Sequence, residues 1–173
     1  NTVALGNGDV TDVYMAQDSG ATVHADKYMS TTMPAFMVTP ASTQSNIAND
    51  ESEVTVVFGT EIFDQGSNFA SNTFTAPVTG KYQFNVTLRL DNIDTAAAYY
   101  ILTLKASNRD VKLTFFDPDF ADADIPHYSI GGSVLVDMDA SDTCHLVVIQ
   151  NGGTAQSDIQ STVNTQFSGY LVC

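Results

Sequence analysis

Residues 81–90, Lys-Tyr-Gln-Phe-Asn-Val-Thr-Leu-Arg-Leu, alternate without a break. Tyr82, Phe84, Val86, Leu88 and Leu90 fall on one side, and Lys81, Gln83, Asn85, Thr87 and Arg89 on the other. A period of two is that of an extended strand with one face in a core. The preceding Ala76-Pro77-Val78-Thr79-Gly80 supplies the turn into it: Pro77 has no N–H to give to a ladder, and Gly80 adopts backbone angles that side chains resist. The rest of the chain has to supply partners for a long, one-sided strand.

Candidate partners recur down the sequence. Met33 to Val38 reads as a first strand, followed by a polar loop from Thr39 to Ser52. Further strands are expected over Glu53 to Gly59, Asn72 to Ala76, Lys81 to Asp91, Ala97 to Ser107, Asp110 to Phe116, His127 to Asp137, Thr143 to Gln150 and Thr165 to Val172. Nowhere does a helical period persist for the ten or so residues a helix needs. Short strands separated by Gly, Asn, Asp and Pro turns predict an all-β, antiparallel two-sheet sandwich. Residues 1–32 differ: Gly6-Asn7-Gly8-Asp9 and Asp18-Ser19-Gly20 divide three short runs that bury little alone and need neighbours. The expected division is therefore a stem or collar over 1–32 and a head over 33–173.

The motif at 72–90 carries a family resemblance. Phe74-Thr75-Ala76-Pro77, Gly80, Tyr82 and Phe84 match the Phe-Thr-x-Pro-x-x-Gly-x-Tyr-x-Phe run of the globular head of complement C1q. Pro34-Ala35-Phe36, Val57-Phe58 and Phe167-Ser168-Gly169-Tyr170-Leu171 resemble other stations of that head, in order. Ile130-Gly131-Gly132-Ser133-Val134-Leu135-Val136, with Asp142 after it, is similar to the Gly-Gly strand and following turn of the tumour necrosis factor family. The resemblance implies a jelly roll of about ten strands assembled as a homotrimer. In these families the face opposite the core turns toward a threefold axis. That places Gln83 and Asn85 there, and implies Ile130, Gly131 and Phe167 beside them. Lys81 and Gln83 stand where complement heads are usually apolar or aromatic, so the contact is expected to be wetter.

Charge narrows the partners. Six Lys and Arg stand against twenty Asp and Glu, a net charge of −14. Nucleic acid needs a basic face, and none is available. No apolar run is long enough to span a bilayer as a helix, so membrane insertion is not expected. Lys112 is the last basic residue, and eight Asp follow it. Four of these, Asp117, Asp119, Asp122 and Asp124, fall within eight residues. Alternating carboxylates in a loop suit calcium, and complement heads often bind calcium near their apex; the competing reading is a solvated acidic loop. Asp91, Asn92 and Asp94 form a weaker cluster of the same kind.

Catalysis has little to work with. His24, His127 and His145 are far apart, and no nucleophile elbow, zinc-protease or Cys-x-x-Cys motif is present. Cys144 and Cys173 sit at the start and end of successive expected strands, at one pole of the sandwich, which allows a disulfide; two buried free thiols are the simpler alternative. Asn85-Val86-Thr87 is formally a glycosylation sequon, but its place in mid-strand argues against use.

The functional expectation is binding, with three equivalent surfaces adding avidity. The chain begins at Asn, as a processed or longer chain would. Val10 to Ala21 loosely resembles the stem and collar modules of bacteriophage fibres, and the chain holds no collagen-like Gly-x-y repeat. The character of 1–32 and that missing repeat favour a virion-surface fibre knob that attaches to a host surface ligand such as a glycan. The alternatives are a capsid decoration trimer docking on other virion proteins, or a secreted C1q-type module recognising carbohydrate or microbial surfaces. By exposure and composition, Gly66 to Asn72 and Asp117 to Asp124 are the loops expected to touch a ligand.

Overall fold

The structure is a computed structural model that describes residues 33–162 and 164–173; the stem or collar expected over 1–32 lies outside the described residues. The described residues form twelve strands and one 3-10 turn. The strands are β1 (Ala35–Thr39), β2 (Val54–Thr55), β3 (Thr60–Gln65), β4 (Phe69–Ala70), β5 (Thr73–Thr75) and β6 (Gly80–Ile93). After them come β7 (Ala97–Ala106), β8 (Arg109–Phe116), β9 (Ile125–Met138), β10 (Thr143–Gly152), β11 (Asp158–Ile159) and β12 (Gln166–Leu171). The 3-10 turn is Pro118–Phe120.

Every pairing is antiparallel. The first sheet runs β9-β6-β12-β1-β3, with β11 pairing with β6 beyond the end of β12. The second runs β4-β5-β10-β7-β8, with β2 also pairing with β10. This is the two-sheet jelly roll expected. The strand count exceeds ten because β3 and the two-residue strands β4 and β11 have too little alternation to be read as strands.

The run that alternates at 81–90 is the first sheet's spine. Its inward side chains Tyr82, Phe84, Leu88 and Leu90 are fully buried, with Val86 nearly so. They meet a stack of rings drawn from both sheets. Phe36 of β1 lies 5.0 Å, centroid to centroid, from Phe69 of β4, from Phe74 of β5 and from Phe167 of β12. Phe84 stands 5.7 Å from Phe74 and 5.8 Å from Phe167. Each buried Phe contributes about 1.5–3 kcal/mol by removing apolar surface from water. The Phe-Thr-x-Pro-x-x-Gly-x-Tyr-x-Phe pattern thus has a packing cause: Phe74, Tyr82 and Phe84 fill the seam between sheets. The Tyr82 hydroxyl donates to the Val78 carbonyl at 2.7 Å, closing the turn that the motif encodes.

The register fixes the poles. Leu171 N–H donates to the Pro34 carbonyl and Lys81 N–H to the Cys173 carbonyl, so Pro34, the carboxyl end and the start of β6 share one pole. The end of β6, the start of β9 and the β10–β11 loop form the opposite, distal pole.

Candidate functional site

Two regions stand apart from the core: the outer face of the first sheet and a cleft at the distal pole. On the outer face, β6 pairs with β9 so that Gln83 lies opposite Leu135, Asn85 opposite Ser133 and Thr87 opposite Gly131. On the other side β12 sets Tyr170 beside Gln83 and Ser168 beside Asn85, and β1 sets Met37 beside Ser168. Gln83 Nε2 donates to Ser133 Oγ at 2.8 Å, and Ser133 Oγ donates to Asn85 Oδ1 at 2.8 Å. Leu135, Tyr170 and, on β3, Phe63 are each about half exposed, at 51%, 48% and 49%. Between the Lys81–Asp137 row and Arg89, the outward positions of β1, β12, β6 and β9 hold no charged side chain. For a chain with net charge −14 that is a distinct surface.

Gln83, Asn85 and Gly131 lie on this face, as expected. Phe167 and Ile130 do not, and here the sequence expectation is corrected. Phe167 is opposite Val86 and Ile130 opposite Leu88, so the pleat turns both inward. Phe167 is fully buried and Ile130 is 4% exposed, within the sandwich core. Gly131 has its own reason for lacking a side chain: a Cβ there would strike the Val86 carbonyl oxygen of β6, backbone that cannot swing away.

Farther along the same face Arg89 grips Asp91 with two hydrogen bonds, Nε to Oδ1 at 2.7 Å and Nη2 to Oδ2 at 2.9 Å. His127 Nδ1 lies 3.0 Å from Asp91 Oδ1 and 2.8 Å from Arg89 Nη2. Burial alone would raise the Asp91 carboxyl, but the hydrogen bonds and charges of Arg89 and His127 outweigh it and hold it below the usual carboxylate range.

The acidic stretches do not gather as a metal site. Asp117 caps the 3-10 turn, accepting from Asp119 N–H at 3.0 Å, and Asp124 Oδ1 accepts from Thr95 N–H and Oγ1, each at 3.0 Å. Asp119 and Asp122 are exposed. Among the described residues no three His, Cys, Asp or Glu side chains converge: Asp117 and Asp124 are taken up by loop hydrogen bonds, and Asp119 and Asp122 face solvent. Asp91, Asn92 and Asp94 likewise divide, Asn92 turning to Asp158 at 3.1 Å. The cysteines are both free: Cys144 is buried on β10, facing the core, and Cys173 is exposed at the carboxyl end beside β6 of the other sheet. Neither the disulfide nor a pair of buried thiols is found, since Cys173 is exposed, and burial pushes the Cys144 thiol up.

The distal cleft was not legible in the sequence. It measures about 870 Å3 and lies among Asn46, Asn49, Asn92, Asp124, Ile125 and Gln156, drawn from four separate stretches of chain. Its walls are stapled by carboxylates. Asp158 accepts from Asn46 N–H at 2.8 Å and from Asn92 Nδ2 at 3.1 Å. Asp94, 2% exposed, accepts from Ala96 N–H at 2.8 Å, Ala155 N–H at 2.7 Å and Thr154 N–H. Burial would raise its carboxyl, but these backbone donors win and hold it low.

Fold and sequence assign the class. The C1q domain family matches residues 35–172, and the chain belongs to it. Among solved structures, the globular domain of zebrafish complement 1qA is similar at 17% identity and a TM-score of 0.57, covering 82% of this chain and 98% of that one. Murine APRIL, crystallised at pH 8.0, is similar at 12% identity and a TM-score of 0.54, covering 82% and 99%. No curated protein matches in sequence. Domains of these families are recognition or signalling modules that form homotrimers and bind ligands.

Proposed function

We propose that this chain is the head of a trimeric recognition module that acts by binding, with the outer face of the first sheet against the threefold axis. The observation that carries it is that face: a charge-free field with Phe63, Leu135 and Tyr170 half exposed around a Gln83–Ser133–Asn85 hydrogen-bonded ladder. A solvated sheet face on so acidic a protein would carry charge. A second copy covers the apolar groups and leaves the polar ladder satisfied within its own protomer.

Light scattering on a sizing column tests this. The expected mass is three times the 18.5 kDa of the chain, and Leu135→Glu, which sets three carboxylates around the axis, yields a folded monomer. A native monomer overturns the reading.

Family membership favours an extracellular setting, since C1q domain proteins are commonly secreted, and among the described residues no helix is long and apolar enough to cross a membrane. The virion fibre knob keeps the support of the stem-like stretch from Val10 to Ala21. The knob reading expects the purified trimer to bind bacterial cells and to block adsorption of a phage; binding to other microbial surfaces without such a block favours the secreted module.

A further inference from the structure

The distal cleft has a chemistry of its own. We propose that it is a binding site for a neutral saccharide, a deepening that rests on the recognition-module reading above.

Position comes first. The cleft lies at the pole opposite Pro34 and Cys173, clear of the sheet face proposed for the threefold axis. Its volume falls in the range of small-ligand sites, roughly 300–1,000 Å3.

Preorganisation comes second. Asn46 and Asn92 both hold left-handed backbone angles, φ of 57° and 58°, and Asp158 ties the two together. Asn49 Nδ2 reaches the Gly153 carbonyl at 3.4 Å, and Gly152 N–H donates to the Asn49 carbonyl at 2.8 Å, tying the 46–49 loop to the end of β10. Asp94 holds the 154–155 loop from beneath. A cleft whose rims are tied in this way loses little entropy on binding.

The free groups decide the ligand. The carboxamides of Asn46 and Gln156 have no hydrogen-bond partner among the described residues, and Asp124 uses Oδ1 for Thr95 and leaves Oδ2 open. The Oδ1 oxygens of Asn49 and Asn92 are open as well, because each of those side chains uses its amide nitrogen. Amides that donate and accept, one carboxylate that accepts, and an apolar wall of Ile125 and Pro126 form a set that sugar hydroxyls satisfy, since each hydroxyl both donates and accepts. An apolar ligand would leave these groups unpaired at a cost. No Lys or Arg lines the cleft, and Asp124 repels anions, so phosphorylated, sulfated and acidic sugars are disfavoured.

Saturation-transfer NMR with the methyl glycosides of glucose, galactose, mannose and N-acetylglucosamine, on protein whose mass has been measured, is the test. At least one glycoside is expected to bind, and methyl glucuronide is not. Asn46→Gly, which suits the left-handed backbone, combined with the exposed Gln156→Ala should weaken binding about tenfold or more, with the urea midpoint unchanged. Lys112→Ala, exposed on β8 of the second sheet and away from both the cleft and the proposed axial face, should leave binding as it was. A protein that sizes as three chains but gives no signal with any of the four sinks the saccharide site and leaves the trimeric module standing. Equal binding by the double variant and the native chain also sinks it. A monomer whose glycoside signal is lost in the double variant keeps the cleft and overturns the trimer.

Discussion

A buried carboxylate, Asp94, shows how single residues hold the distal pole. It sits at the turn between β6 and β7 and takes backbone N–H groups from its own turn and from the 154–155 loop. Asp94→Asn would set an amide N–H2 against those donors and leave at least one unpaired, at about 1–3 kcal/mol each. An overall loss of about 3 kcal/mol in urea unfolding is expected. The pH dependence has a definite sign. The carboxyls of Asp94 and Asp91 are both lowered on folding, so their stabilisation is fully present above the unfolded Asp value, about 4, and is lost as pH falls through their folded values. The native urea midpoint should therefore drop between pH 5 and pH 3, and the drop should be smaller in Asp94→Asn. An equal drop in both would show that Asp94 contributes nothing to acid unfolding.

The strands show what was legible in the sequence and what was not. β6 was readable because one face is a core and the other is not, and β7, β8, β9 and β10 were readable for similar reasons at their apolar positions. β3 was not, because Thr60 to Gln65 is an edge strand without a fully buried side chain, and its register slips between Met37 and Val38 of β1. The family resemblance implies Phe167 at the axis, but the order of a motif does not say which face a strand turns inward; only the pairing of Phe167 with Val86 decides that. The cleft was hidden because its lining comes from residues far apart in the chain, joined by Asp158 and Asp94. The Gly131-Gly132 pair was legible as a motif, but its cause is contact. Gly131 faces the Val86 carbonyl on one strand, while its own carbonyl accepts from Thr114 Oγ1 of β8 at 2.8 Å. Gly131→Ala should push β9 off β6 and cost about 1–3 kcal/mol in urea unfolding, the range of overpacked sites. Ser129→Ala, two residues before it and exposed, should cost much less. Equal losses would mean that close approach is not the reason for glycine.

At the scale of the whole molecule, the assembly works against its own charge. Each chain carries −14, and three chains brought round one axis repel one another over distances longer than any contact. The outer face has no complementary charge to offset this between its Lys81–Asp137 row and Arg89. In the proposed trimer the holding force is therefore burial of groups such as Phe63, Leu135 and Tyr170, each already half covered and each worth about 1 kcal/mol when the remainder is removed from water. Apolar burial is little weakened by salt, whereas repulsion between exposed carboxylates is screened over about 10 Å at 0.1 M and about 3 Å at 1 M. The trimer should consequently tighten as sodium chloride rises, the reverse of an interface held by ion pairs. Sedimentation of dilute protein at 0.02 M and 0.5 M salt reads this directly. A monomer fraction that shrinks with salt supports an apolar axis with repelling flanks. A fraction that grows would mean that charged pairs, and not the uncharged face of the first sheet, hold the three copies together.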